Sequence, residues 1–556
     1  MPTDVMPRAA RRAAGVYYTP RPLVDHVVAK TLGPLLEGET PARLKLRVVD
    51  PSCGRGAFLV GVYEFLLEWY LRHYVAHRPE AWAEGPSPAL AATPQGWRLT
   101  RDERKRILLR HVFGVDIDAD ALAAAKAALA ESLGPPSLLD RNLIRGDALL
   151  APGFRADGLD WPGSFPGVFE AGGFDAVVGN PPWGQKGVAL AKDPAAVRHL
   201  REQFPSSAGI FDLFRPFVEL SFRLLRGGGR LGLVLPDIVL LKNYEPTRRL
   251  LLDHTTLDAI DWWGMRFDGA TIDAATVVAT TSAPAPAGHR VDVTVHDPRR
   301  PVAHRIGQDE FRCNPRCAFN LFLTPDDRAL LDRLSTFPKL GDYFEAHEGI
   351  HSGNMRDELF VDAPLDVSCR PLLFGRDEIA PYRLTWRGGY VRLGMVARGS
   401  AVPPGGRYAN VGRREWHEQP KVLVRRTGDR VIAAMDWEGR YASNNFFLVL
   451  PRPSVGPSAL TLEGLCALLN SAFLTEHFRR VEPRRGRAFA ELKIKHLAAF
   501  PLPLGSPRCG DLNRLGALRS SACESGDAVA LDARIEVLVR EMFRAARETP
   551  GPAGRR

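Results

Sequence analysis

Residues 174–185 read FDAVVGNPPWGQ. A short apolar run meets Gly179, and Asn180, Pro181, Pro182 and Trp183 follow. Such a run, bounded by a turn signal, has the length and composition of a buried parallel strand. Proline cannot donate to a sheet ladder, so the chain must turn there. The stretch therefore predicts a carboxamide, a stiff Pro–Pro pair and a flat aromatic at the C-terminal end of a central strand. Open α/β sheets place their sites at that edge. Two acceptors beside a stacking face suit the gripping of an amino group on a flat ring.

Other segments predict strands that end in the same way. Residues 46–50 form a short β-rich run that leads into DPSCGRGAF (50–58), where Gly54 and Gly56 allow a tight turn before a helix near Ala57. Backbone N–H groups at such a turn can hold a carboxylate or phosphate. The pattern is not the full G-x-G-x-x-G, and no Gly-Lys-Ser/Thr follows, so it is a poor triphosphate cradle. VFGVDID (112–118) predicts a second strand ending in Asp116, placed where a ribose diol would be held. A third, near Leu143, ends in GDALL (146–150) and puts Asp147 on the same rim. Four polar strand ends, Asp50, Asp116, Asp147 and Asn180, point to one shared site. Upstream, Thr19 reads as an N-cap and Pro20 as the first helical residue of a helix with Leu23, Val24, Val27 and Val28 on one face. Downstream, 212–225 predicts a helix stopped by Gly227–Gly229. Strands are expected over 230–235, 257–263 and 275–281. Alternating strands and helices give a doubly wound sheet. Residues 76–100, rich in Pro, Ala and Gly, read as a surface insertion.

Composition sets the outer bounds. The 556 residues allow two or three domains, and 45% of them are hydrophobic. No apolar run is long enough to span a bilayer, so no membrane partner is expected. The basic N-terminus lacks the apolar stretch of a secretory signal. Seven scattered cysteines argue against a disulfide framework and suit a reducing cytosol, so a cytoplasmic location is expected. Cys313 and Cys317 form a lone C-x3-C without further ligands at zinc spacing, so no metal site is expected. A net charge of +10 permits a polyanionic partner. Much of the late basic excess lies in RRVEPRRGR (479–487).

In this order, YYTP (17–20), DPSCGRGAF, VDID (115–118), GDAL and NPPW (180–183) resemble the motifs of the S-adenosylmethionine-dependent N6-adenine DNA methyltransferases of the gamma group. That match spans residues 15–296, and Trp183 stands where the family usually has Tyr or Phe. A looser similarity, to the C-terminal specificity domain of the Taq-type and Eco57I-type enzymes, is carried by FEAHEGIHSGN (344–354), PLLFGRDEIAPY (371–382), residues 421–450, 465–480 and 489–503. The resemblance implies a basic lead-in over 1–14 and a class I S-adenosyl-L-methionine-dependent methyltransferase fold, a Rossmann-like α/β sheet, over 15–300. It further implies an α+β DNA target-recognition domain over 318–505 and a helical tail over 506–556.

Residue by residue, the resemblance implies catalysis by Asn180, Pro181, Pro182 and Trp183, with the target adenine stacked on Trp183 and Phe267. It implies cofactor contacts from Tyr18, Thr19 and Pro20, and from Asp50, Pro51, Ser52, Cys53, Gly54, Gly56 and Phe58. Asp116, Ile117, Asp147, Ala148, Asn180, Pro182 and Phe217 complete that set; Phe217 reads equally well as core. Arg484, Arg485 and Arg487 are the expected DNA phosphate contacts. The cofactor is S-adenosyl-L-methionine and the partner double-stranded DNA, in bacterial restriction-modification or phage defence. A separate restriction endonuclease or defence protein is left open as a further partner. So few residues precede the first motif that no nuclease domain is expected ahead of it. Two alternatives stand beside this reading: methylation of protein glutamine or RNA, and a catalytically inactive DNA-binding subunit.

Overall fold

The computed structural model describes residues 19–184, 193–241, 243–264, 273–281, 285–296, 301–395, 406, 408–428, 430–454, 458–481, 491–522 and 526–545. The chain divides into two compact units, 1–322 and 323–556.

The first unit is built on a nine-stranded sheet. Its strands are β1 (Val48–Asp50), β2 (Val112–Asp116), β3 (Leu143–Arg145), β4 (Phe174–Gly179) and β5 (Leu225–Pro236). β6 (Thr255–Gly264), β7 (Ala274–Thr281), β8 (Arg290–Val295) and β9 (Val302–Gly307) follow. The spatial order is β3-β2-β1-β4-β5-β7-β6-β8-β9. β1 to β5 are mutually parallel, whereas β7 runs antiparallel to both β5 and β6. The order reverses between β1 and β4, which makes that junction the topological switch point.

The sequence explains the centre of this sheet. β4 is buried at every residue except Asp175, as expected of a strand covered on both faces. Asp175 closes the start of the strand by accepting from Arg47 N and Arg226 Nε, each at 2.6 Å. Helix α1 (Arg21–Leu36) packs on β4, β5 and β7, and on α2 (Ala57–Ala76). α3 (Arg101–His111) and α4 (Ala119–Ala130) precede β2 and β3. α5 (Pro194–Gln203) and α6 (Phe214–Leu224) precede β5, and α7 (Glu245–His254) precedes β6. Right-handed crossovers from a switch point set α2 and α6 on opposite faces.

One expectation needs correction here. Gly227–Gly229 do not stop a helix: α6 already ends at Leu224, and the glycines lie inside β5. There Thr281 Oγ1 donates to the carbonyls of Arg226 and Gly229 at 3.0 and 2.9 Å, so a side chain of the neighbouring strand holds this segment to the sheet. The 76–100 segment forms a helix (Pro79–Ala83) and an antiparallel hairpin (Leu90–Thr93 with Gly96–Leu99).

In the second unit, β10 (Phe344–Glu348), β11 (Lys421–Arg425), β12 (Ala433–Asp436) and β13 (Phe446–Pro451) form an antiparallel sheet in the order β10-β13-β11-β12. α8 (Leu462–Asn470), α9 (Ala472–Val481), α10 (Cys509–Ser521) and α11 (Gly526–Ala545) supply Leu468, Leu474, Leu512 and Val539 to the same core. Among the described residues, no helix is long and apolar enough to cross a membrane.

Candidate active site

Because β3, β2, β1 and β4 are adjacent and parallel, their C-terminal ends share one edge. The structure thus brings Asp147, Asp116, Asp50 and Asn180 to one rim, across the switch point.

The β1–α2 turn is held from the neighbouring strand. Gly54 N donates to Asp116 Oδ2 at 2.7 Å, and Asp118 N donates to Asp116 Oδ1 at 2.9 Å. Ser52 N donates to Asp50 Oδ1 at 3.0 Å. Gly56 takes φ 86°, and a Cβ there would lie 2.9 Å from Ala125 Cβ on α4. Gly179 has a different reason to be glycine: its Cβ would lie 2.7 Å from Asp50 Oδ1. The residue before Asn180 therefore lets the β1 and β4 ends close on one another. On the β3 side, Leu149 N donates to Asp147 Oδ1 at 3.0 Å, and Trp161 Nε1 donates to the Ala148 carbonyl at 3.0 Å.

Burial dominates the electrostatics of this rim. Asp50 is 2% exposed, and burial pushes its carboxyl up to about 8. The Ser52 N–H opposes that shift and the Asp116 charge adds to it. Burial also raises Asp116 and Asp147 above the usual carboxylate range. Beside them Ile117 leaves 45% of its surface open, an apolar face next to an acid. Asp50 and Asp147 are buried and Asp116 partly so, and Asp50 and Asp116 repel one another. Arg155 stands 3.9 Å from Asp147, and the Asp50–Asp116 pair suits a cation and hydroxyl donors.

The raised Asp50 pKa has a consequence for stability. The folded chain keeps the Asp50 proton at pH values where the unfolded chain has lost it. Stability from this group is therefore full below the ordinary carboxylate range and is lost as pH rises towards 8. Relative to Asp50→Asn, the melting temperature of the wild type is expected to fall between pH 5 and 8 in thermal scans without ligand. A pH-independent difference between the two would show that Asp50 holds no such proton.

Asn180 is oriented by a distant residue. Its Nδ2 donates to Thr19 Oγ1 at 3.1 Å, and its Oδ1 is buried with no hydrogen-bond partner among the described residues. Thr19 is thus no N-cap: α1 starts at Arg21 without a side-chain cap, and the Pro20 carbonyl accepts from Leu23 N and Val24 N. The hydroxyl that would cap the helix instead fixes the carboxamide and leaves its oxygen free to accept. Beyond the turn, Gly184 N donates to Asp212 Oδ1 at 2.9 Å. Sequence reasoning missed this acid, reading it only as the start of a helix.

Other expected residues are less open than their assigned roles would suggest. Trp183 is 8% exposed and packs in the first core, so little of its face is available for a ring to stack on. Phe217, Phe58 and Cys53 are buried in the same core, and Pro51 is buried as well. Pro182, Ser52 and Pro20 are partly exposed. Tyr18, Phe267, Arg484, Arg485 and Arg487 lie outside the described residues. Cys313 is exposed and Cys317 buried, and no cluster of potential metal ligands occurs among the described residues.

The sheet order 3-2-1-4-5-7-6 with strand seven reversed, and the polar rim at its switch point, define a class I methyltransferase fold. Residues 110–264 match the Eco57I restriction-modification methylase family, and residues 370–502 match the TaqI-like C-terminal specificity domain. The first match lies within residues 1–322 and the second within residues 323–556. It is 23% identical over 247 residues to the Type II restriction enzyme and methyltransferase RM.Eco57I of Escherichia coli, covering 42% of this chain and 24% of that protein. It is 27% identical over 240 residues to the Type II methyltransferase M.PaeR7I of Pseudomonas aeruginosa, covering 42% of this chain and 35% of that one. The chain thus spans about a quarter to a third of the length of these relatives. In fold, it superposes on the Type IIL restriction-modification enzyme MmeI, solved in complex with DNA, with TM-score 0.60 at 13% identity, covering 99% of this chain and 78% of that one.

Proposed function

We propose that the chain is a site-specific DNA adenine N6-methyltransferase that uses S-adenosyl-L-methionine and acts in restriction-modification or phage defence. One observation carries this reading: the buried, unpartnered Oδ1 of Asn180, held at the end of β4 with its amide nitrogen tied to Thr19.

The rim suits the cofactor. Asp50 and the 52–56 turn would hold its cationic amino-acid end, Asp116 its ribose diol, and Asp147, Ala148 and Ile117 its ring. S-adenosyl-L-methionine supplies a methyl group already activated on a sulfonium. The protein's task is then positioning. The adenine amino nitrogen is a poor nucleophile because its lone pair is delocalised into the ring. Asn180 Oδ1 and the Pro181 carbonyl would accept its two N–H bonds and draw it towards a tetrahedral shape. Pro182 stiffens the backbone that aims that carbonyl. A stacked base is out of reach, so the adenine must be flipped out of the duplex. Trp183 would then need its packing loosened before it could stack on the base. Phe267 would stack on the other face, Tyr18 would lie against the cofactor, and Arg484, Arg485 and Arg487 would meet phosphates. The specificity domain would choose which adenine enters. Its match weighs against the protein and RNA readings, and the intact set of Asp50, Gly54, Gly56, Asn180, Pro181 and Pro182 weighs against an inactive subunit.

The test is transfer of labelled methyl groups to duplex DNA, protein and RNA, with modified adenines mapped by sequencing in a host expressing the chain. Adenine modification at one sequence context is expected. Labelling of protein or RNA but not of DNA, or absence of cofactor binding, would overturn the proposal. The Thr19 contact predicts a further result. A net hydrogen bond is worth about 0.5–1.5 kcal/mol, so Thr19→Val should slow single-turnover transfer several-fold to about tenfold. Thr19→Ser should restore it. Equal rates for Thr19→Val and wild type would mean that the carboxamide holds its orientation without Thr19.

A further inference from the structure

We infer that Asp212 is a positioning residue for the catalytic turn, and this inference rests on the function proposed above. Asp212 stands two residues ahead of α6 and is buried. Leu213 holds the N-cap position, so Asp212 lies one residue outside the cap. α6 has no side-chain cap, and the Asp212 oxygens are used elsewhere. Oδ1 accepts from Gly184 N at 2.9 Å, and Oδ2 accepts from the hydroxyl of buried Tyr244 at 3.3 Å. The Leu213 N–H also approaches the Gly184 carbonyl at 3.4 Å, so the turn is tied to this segment in both directions.

The segment itself is closely packed. Tyr244 meets Phe214 edge-on at 5.5 Å, and the fully buried Arg215 lies 5.3 Å over the Tyr244 ring. Arg215 Nε donates to Thr247 Oγ1 at 2.8 Å, and its Nη1 donates to the Ala208 carbonyl at 2.9 Å. Burying a carboxylate is costly, and no ion pair of Asp212 occurs among the described residues. The Gly184 N–H and the Tyr244 hydroxyl offset that cost together with the nearby Arg215 charge, and the first of these bonds ends on the residue after Trp183. The turn 180–184 is therefore fixed at both ends, by Thr19 at Asn180 and by Asp212 at Gly184. A turn anchored at both ends limits how far the Pro181 carbonyl can move relative to Asn180 Oδ1, as two acceptors on one nitrogen require.

The test compares Asp212→Ala with Asp212→Asn in the full chain. Asp212→Ala is expected to lower kcat on duplex DNA about 30-fold, with cofactor affinity by calorimetry kept within threefold. Peptides covering 180–184 should lose hydrogen-exchange protection while those covering β4 and β5 keep theirs. Asp212→Asn retains an acceptor oxygen for Gly184 N–H and should stay within about fivefold of wild type on every readout. Unchanged kcat and protection in Asp212→Ala overturns the proposal, as does an Asp212→Asn variant as impaired as Asp212→Ala. If Asp212→Ala does not fold, Asp212→Glu, which displaces the carboxylate by one methylene, must lower kcat while sparing cofactor affinity. Parallel loss of both in Asp212→Glu overturns it too. A wild type that binds cofactor yet methylates no DNA would instead overturn the proposed function, and the hydrogen-exchange comparison would still report on the clamp.

Discussion

Asn180→Ala is expected to abolish measurable methyl transfer while leaving cofactor affinity within a few-fold of wild type. Removing one preorganised polar partner from a reacting centre costs about 100- to 1,000-fold in rate. Asn180 should lie at or beyond that range, because in the proposed function its side chain would supply one of two acceptors for the reacting amino group. Oδ1 is buried without a hydrogen-bond partner among the described residues, so an arriving amino group would satisfy an acceptor whose burial cost the fold already carries. Single-turnover transfer of labelled methyl to duplex DNA reads the rate, and calorimetry reads cofactor binding. Wild-type turnover by the variant would remove Asn180 from the chemistry.

Asp116→Ala is expected to weaken cofactor binding about 100-fold. Part of this loss is direct: hydrogen bonds to a charged group are worth about 1.5–3 kcal/mol, and a ribose diol offers two. The rest is indirect. Asp116 now accepts from Gly54 N and Asp118 N, so the same carboxylate shapes the glycine turn of the neighbouring strand. Its removal frees both donors and loosens the turn that would hold the amino-acid end of the cofactor. Asp116→Asn keeps an acceptor and should fall between the two. Titration calorimetry with S-adenosyl-L-methionine decides; an affinity within threefold of wild type for Asp116→Ala would refute the role.

The strands and their polar ends were legible because buried parallel strands are short, apolar and punctuated. Each of β1, β2 and β4 reads as a hydrophobic run closed by an acid or a turn. The rim follows from strand adjacency, and the motif order carried the resemblance. What stayed hidden depends on partners far away in the chain. Thr19 before a helix has the local signature of a cap, and nothing near it shows that Asn180 claims its hydroxyl. Gly227–Gly229 carry the signature of a helix end, yet they sit in a register break of β5, where Thr281 Oγ1 from β7 holds the carbonyls on either side. Gly179 looked like part of the turn, whereas the Asp50 carboxylate beside it is what excludes a side chain. Trp183 offers a stacking face by type, but packing in the core closes it.

The contact between Thr19 and Asn180 joins residues 161 positions apart. On a ribosome adding roughly 5–20 residues per second, the threonine emerges roughly ten to thirty seconds before the asparagine it orients. β1 likewise waits for β4, its neighbour across the switch point. During that interval the nascent chain exposes a strand edge that only later synthesis can cover, as aggregation-prone intermediates do. Slower translation between codons 50 and 180 would lengthen the interval in which β1 lacks that neighbour.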